Sequence, residues 1–165
     1  MESTRRLAEY CRSHPKVARV SYVGFDTHPS FENARKYYRF GSSAVFTIEL
    51  KGTLESTVRF VEALHLAANM TMIGDSITVV THPASTTHKQ LGEADLAAAG
   101  VTPTLLRISL GLEDVEDLID EFRTGIRSRG GVGYAARLPF RRTVSRSRSA
   151  ANCPHCGSPT TPTAN

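Results

Sequence analysis

The sequence is 165 residues long, 40% apolar and 7% aromatic with no tryptophan, and carries a formal charge of +4. That length suits one domain with a modest core. No apolar run reaches the roughly 18 residues needed to cross a membrane, and residues 1–6 lack the apolar stretch of a secretion signal, so a cytoplasmic protein is expected.

Leu7, Tyr10 and Cys11 have helical spacing, and Pro15 ends that short helix. Residues 17–23 read as a strand rich in valine. A loop from Gly24 to Pro29 follows, and Ser30 is a suitable N-cap for a helix over residues 31–38. Residues 44–50 alternate, with Ala44, Phe46, Ile48 and Leu50 on one face and Val45, Thr47 and Glu49 on the other, the signature of a half-buried strand. Thr53 is placed to cap the next helix, whose Leu54, Val58, Val61 and Leu64 form an apolar stripe. Gly74 and Asp75 turn the chain into a short strand over residues 76–81.

An irregular polar segment, His82 to His88, leads to a short helix over residues 92–99 that Gly100 closes. Residues 105–110 form the last strand. Leu112, Val115, Leu118, Ile119 and Phe122 are expected along one face of the last helix, with Glu113, Asp114, Glu116 and Asp117 near its positive end. Four strands alternating with helices predict an α/β domain. Its sheet is expected to be mostly antiparallel, with helices mainly on one face.

After Ile126 the periodicity stops. The charge is uneven: seven arginines and no acidic residue fall between Arg127 and Asn165, so a basic tail follows a mildly acidic body. We therefore divide the chain into a domain over residues 1–126 and a basic tail over residues 127–165, expected to be disordered. Arg141, Arg142, Arg146 and Arg148 could contact nucleic-acid phosphates, but without interleaved aromatic residues nucleic acid is a poor expectation. Cys153 and Cys156 make half of a zinc pair and Cys11 stands alone, so neither a disulfide framework nor a metal site is expected.

Three segments resemble a known family. They are Gly74-Asp75 with the stretch from Thr81 to His88, the stretch from Leu96 to Pro103, and the stretch from Leu106 to Ile119. In this order and spacing they are similar to the small C-terminal domain of the Cys/Met-metabolism enzymes that use pyridoxal phosphate. Ser85-Thr86-Thr87-His88 and Val101-Thr102-Pro103 lie nearest to the O-acetylhomoserine sulfhydrylase branch, as does the stretch from His28 to Leu50. The resemblance runs from about Leu7 to Phe122 and covers the last third of a full member.

The resemblance implies a fold-type I pyridoxal-phosphate enzyme, in which a large domain holds the cofactor and this small one closes over the substrate. It also implies that Arg107 binds the substrate α-carboxylate, a role suited to the planar fork of a guanidinium. Read from the residues alone, Arg107 could equally pair with a local acid or lie on the open sheet face. Ser85 and Thr86 are the further substrate-binding candidates, although such hydroxyls often bond their own backbone. Relatives carry Ser or Asn where this chain has Met72, which removes a polar group from the substrate side. Lys16, Lys36, Lys51 and Lys89 are the only lysines; none has the context of the family's cofactor lysine, and no glycine-rich phosphate loop is present.

The chain is therefore expected to be a fragment that is inactive alone, with the large cofactor-binding domain as its partner if that domain is encoded separately, within a family of homo-oligomers. The alternative is a non-catalytic interaction module whose basic tail binds a partner or nucleic acid.

Overall fold

The computed structural model describes residues 1–128. The expectations for the tail, including its arginines and its cysteine pair, lie outside the described residues.

The chain runs α1 (Glu2–Ser13), β1 (Val17–Ser21), α2 (Phe31–Tyr37), β2 (Val45–Leu50), α3 (Leu54–Glu62), β3 (Ala68–Asn69), β4 (Val79–Thr81), a 3-10 turn (Pro83–Ser85), α4 (Glu93–Ala98), β5 (Leu105–Ser109) and α5 (Val115–Ser128). The strands form one sheet in the order β1-β2-β5-β4-β3. Three of the pairings are antiparallel and β3–β4 is parallel. The expected α/β class holds, with five strands rather than four. The additional strand, β3, is two residues long and has no alternation to reveal it.

The alternation read in residues 44–50 is the alternation of the sheet. Phe46, Ile48 and Leu50 of β2 are buried, as are Leu106 and Ile108 of β5. The register sets Phe46 opposite Ile108 and Ile48 opposite Leu106, so one apolar face is continuous across the centre of the sheet. Leu7, Ala8 and Cys11 of α1, Phe60 and Val61 of α3, and Leu118, Ile119, Phe122 and Ile126 of α5 belong to the same core. Phe60 and Phe122 meet edge to face with ring centroids 5.6 Å apart. Burying side chains of this size contributes about 1.5–3 kcal/mol each.

Helix ends follow their local chemistry. Thr53 caps α3 in a reciprocal capping box with Ser56, which satisfies two backbone N–H groups otherwise left open. At the start of α5, Asp114 Oδ1 accepts from the Glu116 N–H at 2.8 Å. Two expectations for this region need correction. Leu112 precedes α5 and is 86% exposed, not part of its buried face. Glu113 reaches sideways instead of serving the helix dipole: its carboxylate accepts from the Thr78 N–H at 2.6 Å and from the Thr78 hydroxyl at 2.7 Å. The helix itself continues two residues past Ile126.

β4 is shorter than the predicted strand. Residues 76–78 are held by the turn after β5: the Leu112 N–H donates to the Ser76 carbonyl at 2.9 Å, and the Gly111 N–H donates to Thr78 Oγ1 at 3.0 Å. A methyl group on Gly111 would lie 2.4 Å from the backbone of residues 76 and 77, so the close approach requires glycine.

Candidate functional site

On the sheet face turned away from α1, α3 and α5, the register lines up Ser21, Thr47, Arg107 and Thr81 in one row. Arg107 is half-buried in this row. The row is polar because alternation puts every second residue of β2 and β5 on it, and residues 70–77 cross its β4 edge.

That crossing segment is tied down by three side chains of β4 and β5. Thr81, 1% exposed, donates its hydroxyl to the Met70 carbonyl. Arg107 Nη2 donates to the Thr71 carbonyl at 2.7 Å, to Thr81 Oγ1 at 3.2 Å and more weakly to the Met72 carbonyl at 3.5 Å. The Gly74 N–H donates to Ser109 Oγ at 3.0 Å. Sequence reasoning finds Arg107 but misses this strap, because its partners are backbone carbonyls some 35 residues away. The hydroxyl-bearing residues at positions 81 and 109 were its only sequence signal.

The Arg107 Nε is buried and has no hydrogen-bond partner. A buried donor without an acceptor costs about 1–3 kcal/mol. A carboxylate bound by the rest of the guanidinium would add a charge-assisted bond. In the segment whose carbonyls bond the guanidinium, Met72 and its neighbour Ile73 are 54% and 60% exposed. The site thus offers a cation beside apolar surface, a combination suited to an amino acid with an uncharged side chain.

Ser85 and Thr86 sit in the turn after β4, and their bonds run to His82, not to Arg107. His82 is 2% exposed. Its Nε2 lies 2.9 Å from the Pro103 carbonyl and its Nδ1 lies 2.8 Å from Ser85 Oγ. A carbonyl only accepts, so Nε2 carries the proton, and in the neutral ring the Ser85 hydroxyl donates to Nδ1. The Thr86 hydroxyl donates to the His82 carbonyl at 2.8 Å. The segment is thereby fastened to the loop that precedes β5.

The four lysines are all exposed. Lys16 Nζ donates to the Ile126 carbonyl at 3.1 Å on the helical side, and Lys36 lies over the Tyr37 ring. Among the described residues, no group of three or more His, Cys, Asp or Glu could hold a metal ion. The guanidinium of Arg107, with hydrogen bonds only to carbonyls and a hydroxyl among the described residues, has the chemistry to take a carboxylate. Cys11 is fully buried, and burial pushes its thiol up to about 12, which leaves it protonated and unsuited to nucleophilic chemistry. Among the described residues, no helix is long and apolar enough to cross a membrane.

This architecture is a small α/β domain presenting a half-buried arginine, Arg107, on its polar sheet face. The sequence family described as Cys/Met metabolism PLP-dependent enzyme matches residues 1–127, and the chain belongs to that family, whose cofactor is pyridoxal phosphate. It is 42% identical over 126 residues to O-acetyl-L-homoserine sulfhydrylase 1 of Thermus thermophilus, covering 76% of this chain and 30% of that protein. It is 38% identical over 126 residues to an L-methionine gamma-lyase of Fusobacterium nucleatum, covering 76% of this chain and 31% of that enzyme. Its fold matches the crystal structure of a Campylobacter jejuni protein assigned as an O-acetylhomoserine (thiol)-lyase, which contains N'-pyridoxyl-lysine-5'-monophosphate. The TM-score is 0.71 at 32% identity, over 77% of this chain and 30% of that one. The chain thus spans about 30% of the length of these relatives.

Proposed function

We propose that the chain is the substrate-gripping domain of a pyridoxal-phosphate enzyme that transfers an aminocarboxypropyl group from O-acetylhomoserine to sulfide or a thiol. The observation that carries this reading is the guanidinium of Arg107, anchored on the polar sheet face through Nη2 with no acidic group bonded to it among the described residues. The guanidinium binds the substrate α-carboxylate and fixes the amino acid, so that its Cα–H bond keeps one orientation toward the reacting centre. Met72 and Ile73 offer exposed apolar surface in the same segment. Ser85 and Thr86 frame the substrate from the turn after β4, where His82 holds them. The cofactor, when bound in such an enzyme, supplies an electron sink.

The cofactor lysine comes from a large domain carried outside this sequence, residues 1–126 being the small domain and 127–165 an appended basic tail. Homo-oligomeric assembly and a cytoplasmic setting go with this reading.

Two measurements test it. O-acetyl-L-homoserine is titrated into the purified chain and into Arg107→Ala, followed by amide chemical shifts; saturable binding that the substitution abolishes is expected. The chain is also mixed with pyridoxal phosphate, reduced with borohydride and weighed by mass spectrometry. A stoichiometric adduct at one lysine, or homocysteine formed from O-acetylhomoserine and sulfide by the chain alone, refutes the division of labour.

One observation favours a second reading, an interaction module. Six consecutive residues, Arg35, Lys36, Tyr37, Tyr38, Arg39 and Phe40, are exposed, with Phe40 93% exposed. Cations interleaved with aromatic rings suit a single-stranded nucleic acid. Salt-dependent anisotropy of a labelled oligonucleotide, lost on Tyr37→Ala/Phe40→Ala, would support that reading over the first.

A further inference from the structure

We propose that Thr81 is a positioning residue for Arg107, and that its hydroxyl sets how tightly the site holds a carboxylate. The inference rests on the reading of Arg107 as the carboxylate-binding group.

The geometry fixes the direction of the hydroxyl. Its proton goes to the Met70 carbonyl, an acceptor that cannot donate. The lone pairs of Thr81 Oγ1 are therefore left to face Arg107, whose Nη2 donates to them at 3.2 Å. Nη2 has two hydrogens. One is accounted for by the Thr71 carbonyl at 2.7 Å and the other by Thr81, with the Met72 carbonyl at the margin of bonding.

One corner of the guanidinium is thus anchored by the protein. Because the group is planar and rigid, fixing Nη2 also fixes where Nε points. The rest of the guanidinium is then held in one orientation toward a ligand. Thr81 stands directly opposite Arg107 in the β4–β5 register and is 1% exposed, so its side chain has little freedom to answer in another way.

A valine at this position keeps the shape and removes both bonds. Nη2 then has a spare hydrogen, the Met70 carbonyl loses its donor, and the guanidinium is free to swing toward the carbonyls of residues 71 and 72. A ligand must then order the arginine as it binds, which lowers affinity. A serine restores both bonds.

The test uses the full chain. The Nε–Hε resonance of Arg107 is identified by its disappearance in Arg107→Lys and followed while O-acetyl-L-homoserine is titrated. Wild type is expected to show a saturable shift. Thr81→Val is expected to raise the dissociation constant about tenfold, and Thr81→Ser to return it to within about twofold of wild type. Should the valine variant fail to fold, Thr81→Ala leaves space instead of strain and is judged by the same criterion. A fold-competent variant without the hydroxyl that binds as tightly as wild type overturns the role of Thr81 and leaves the arginine's role standing. No saturable shift in wild type overturns the carboxylate reading and this inference with it.

Discussion

Replacing Gly111 by alanine should be among the costliest single-methyl changes in this domain, although no left-handed conformation demands glycine there. The added Cβ would lie 2.4 Å from Ile77 C, 2.4 Å from Ser76 O and 2.6 Å from Thr78 N, about 1 Å inside ordinary contact. All three atoms are backbone, and hydrogen bonds hold them: the Thr78 N–H to Glu113 at 2.6 Å and the Ser76 carbonyl from Leu112 at 2.9 Å. Relief means moving residues 76–78 away, which strains these bonds and the Gly111–Thr78 bond.

Overpacking costs about 1–3 kcal/mol, and weakened hydrogen bonds add about 1 kcal/mol each, so a loss of about 3 kcal/mol is expected. Gly74→Ala is the control. There φ is +78° with nothing within 4 Å, and the cost is only the left-handed penalty of about 1–2 kcal/mol. The assay is urea denaturation followed by far-ultraviolet circular dichroism. With an m-value of about 2 kcal/mol/M, the midpoint should fall by about 1.5 M for Gly111→Ala and by about half that for Gly74→Ala. Equal or reversed losses would refute the close-approach argument.

Other substitutions follow from the same structure. The Glu121 carboxylate accepts from the N–H groups of His65, Leu66 and Ala67; the first two are exposed and the third is part-buried, so Glu121→Ala should cost about 1–3 kcal/mol, mainly through the Ala67 donor, read by the same denaturation; a loss under about 0.5 kcal/mol would sink the claim. Cys11 is raised from 9.0 to about 12 by burial alone. Its folded value lies above its unfolded one, so its stabilising share is intact below pH 9 and is lost as pH rises toward 12, at up to about 1.4 kcal/mol per pH unit. Cys11→Ala should remove that part of the alkaline slope when stability is measured from pH 8 to 11. Phe122→Ala, which removes half of the Phe60 pair, should cost about 3–5 kcal/mol. Thr53→Ala should cost about 1 kcal/mol through the lost cap, measured as a small shift in thermal midpoint.

Much of this architecture is written locally. The period-2 pattern of residues 44–50 gives β2, its buried face and, through pairing, the face of Arg107. Thr53 announces α3 by its own chemistry. What escapes local reading is whatever depends on distant partners. β3 exists because Ala68 and Asn69 meet Val79 and Val80 in parallel, and two residues carry no period. Leu112 has the spacing of the α5 stripe but precedes the helix, where Gly111 and Leu112 are drawn to residues 76–78. The acidic run before α5 looks uniform in sequence, yet Asp114 caps, Glu113 bonds Thr78 and Glu116 pairs with Arg6, each choice made by a neighbour in space. At the site, the motif names Arg107 but not Thr81, whose hydroxyl matters only because Met70 and Arg107 arrive on either side of it.

The two borders of the sheet are built to refuse company. β3 offers only Ala68 and Asn69 beyond β4, too short a template for another chain to extend. β1 breaks register between Val17 and Arg19 and presents Arg19 to solvent with 71% of its side chain exposed. A bulge and a charge at one border, and near-absence of strand at the other, oppose edge-to-edge stacking into fibrils.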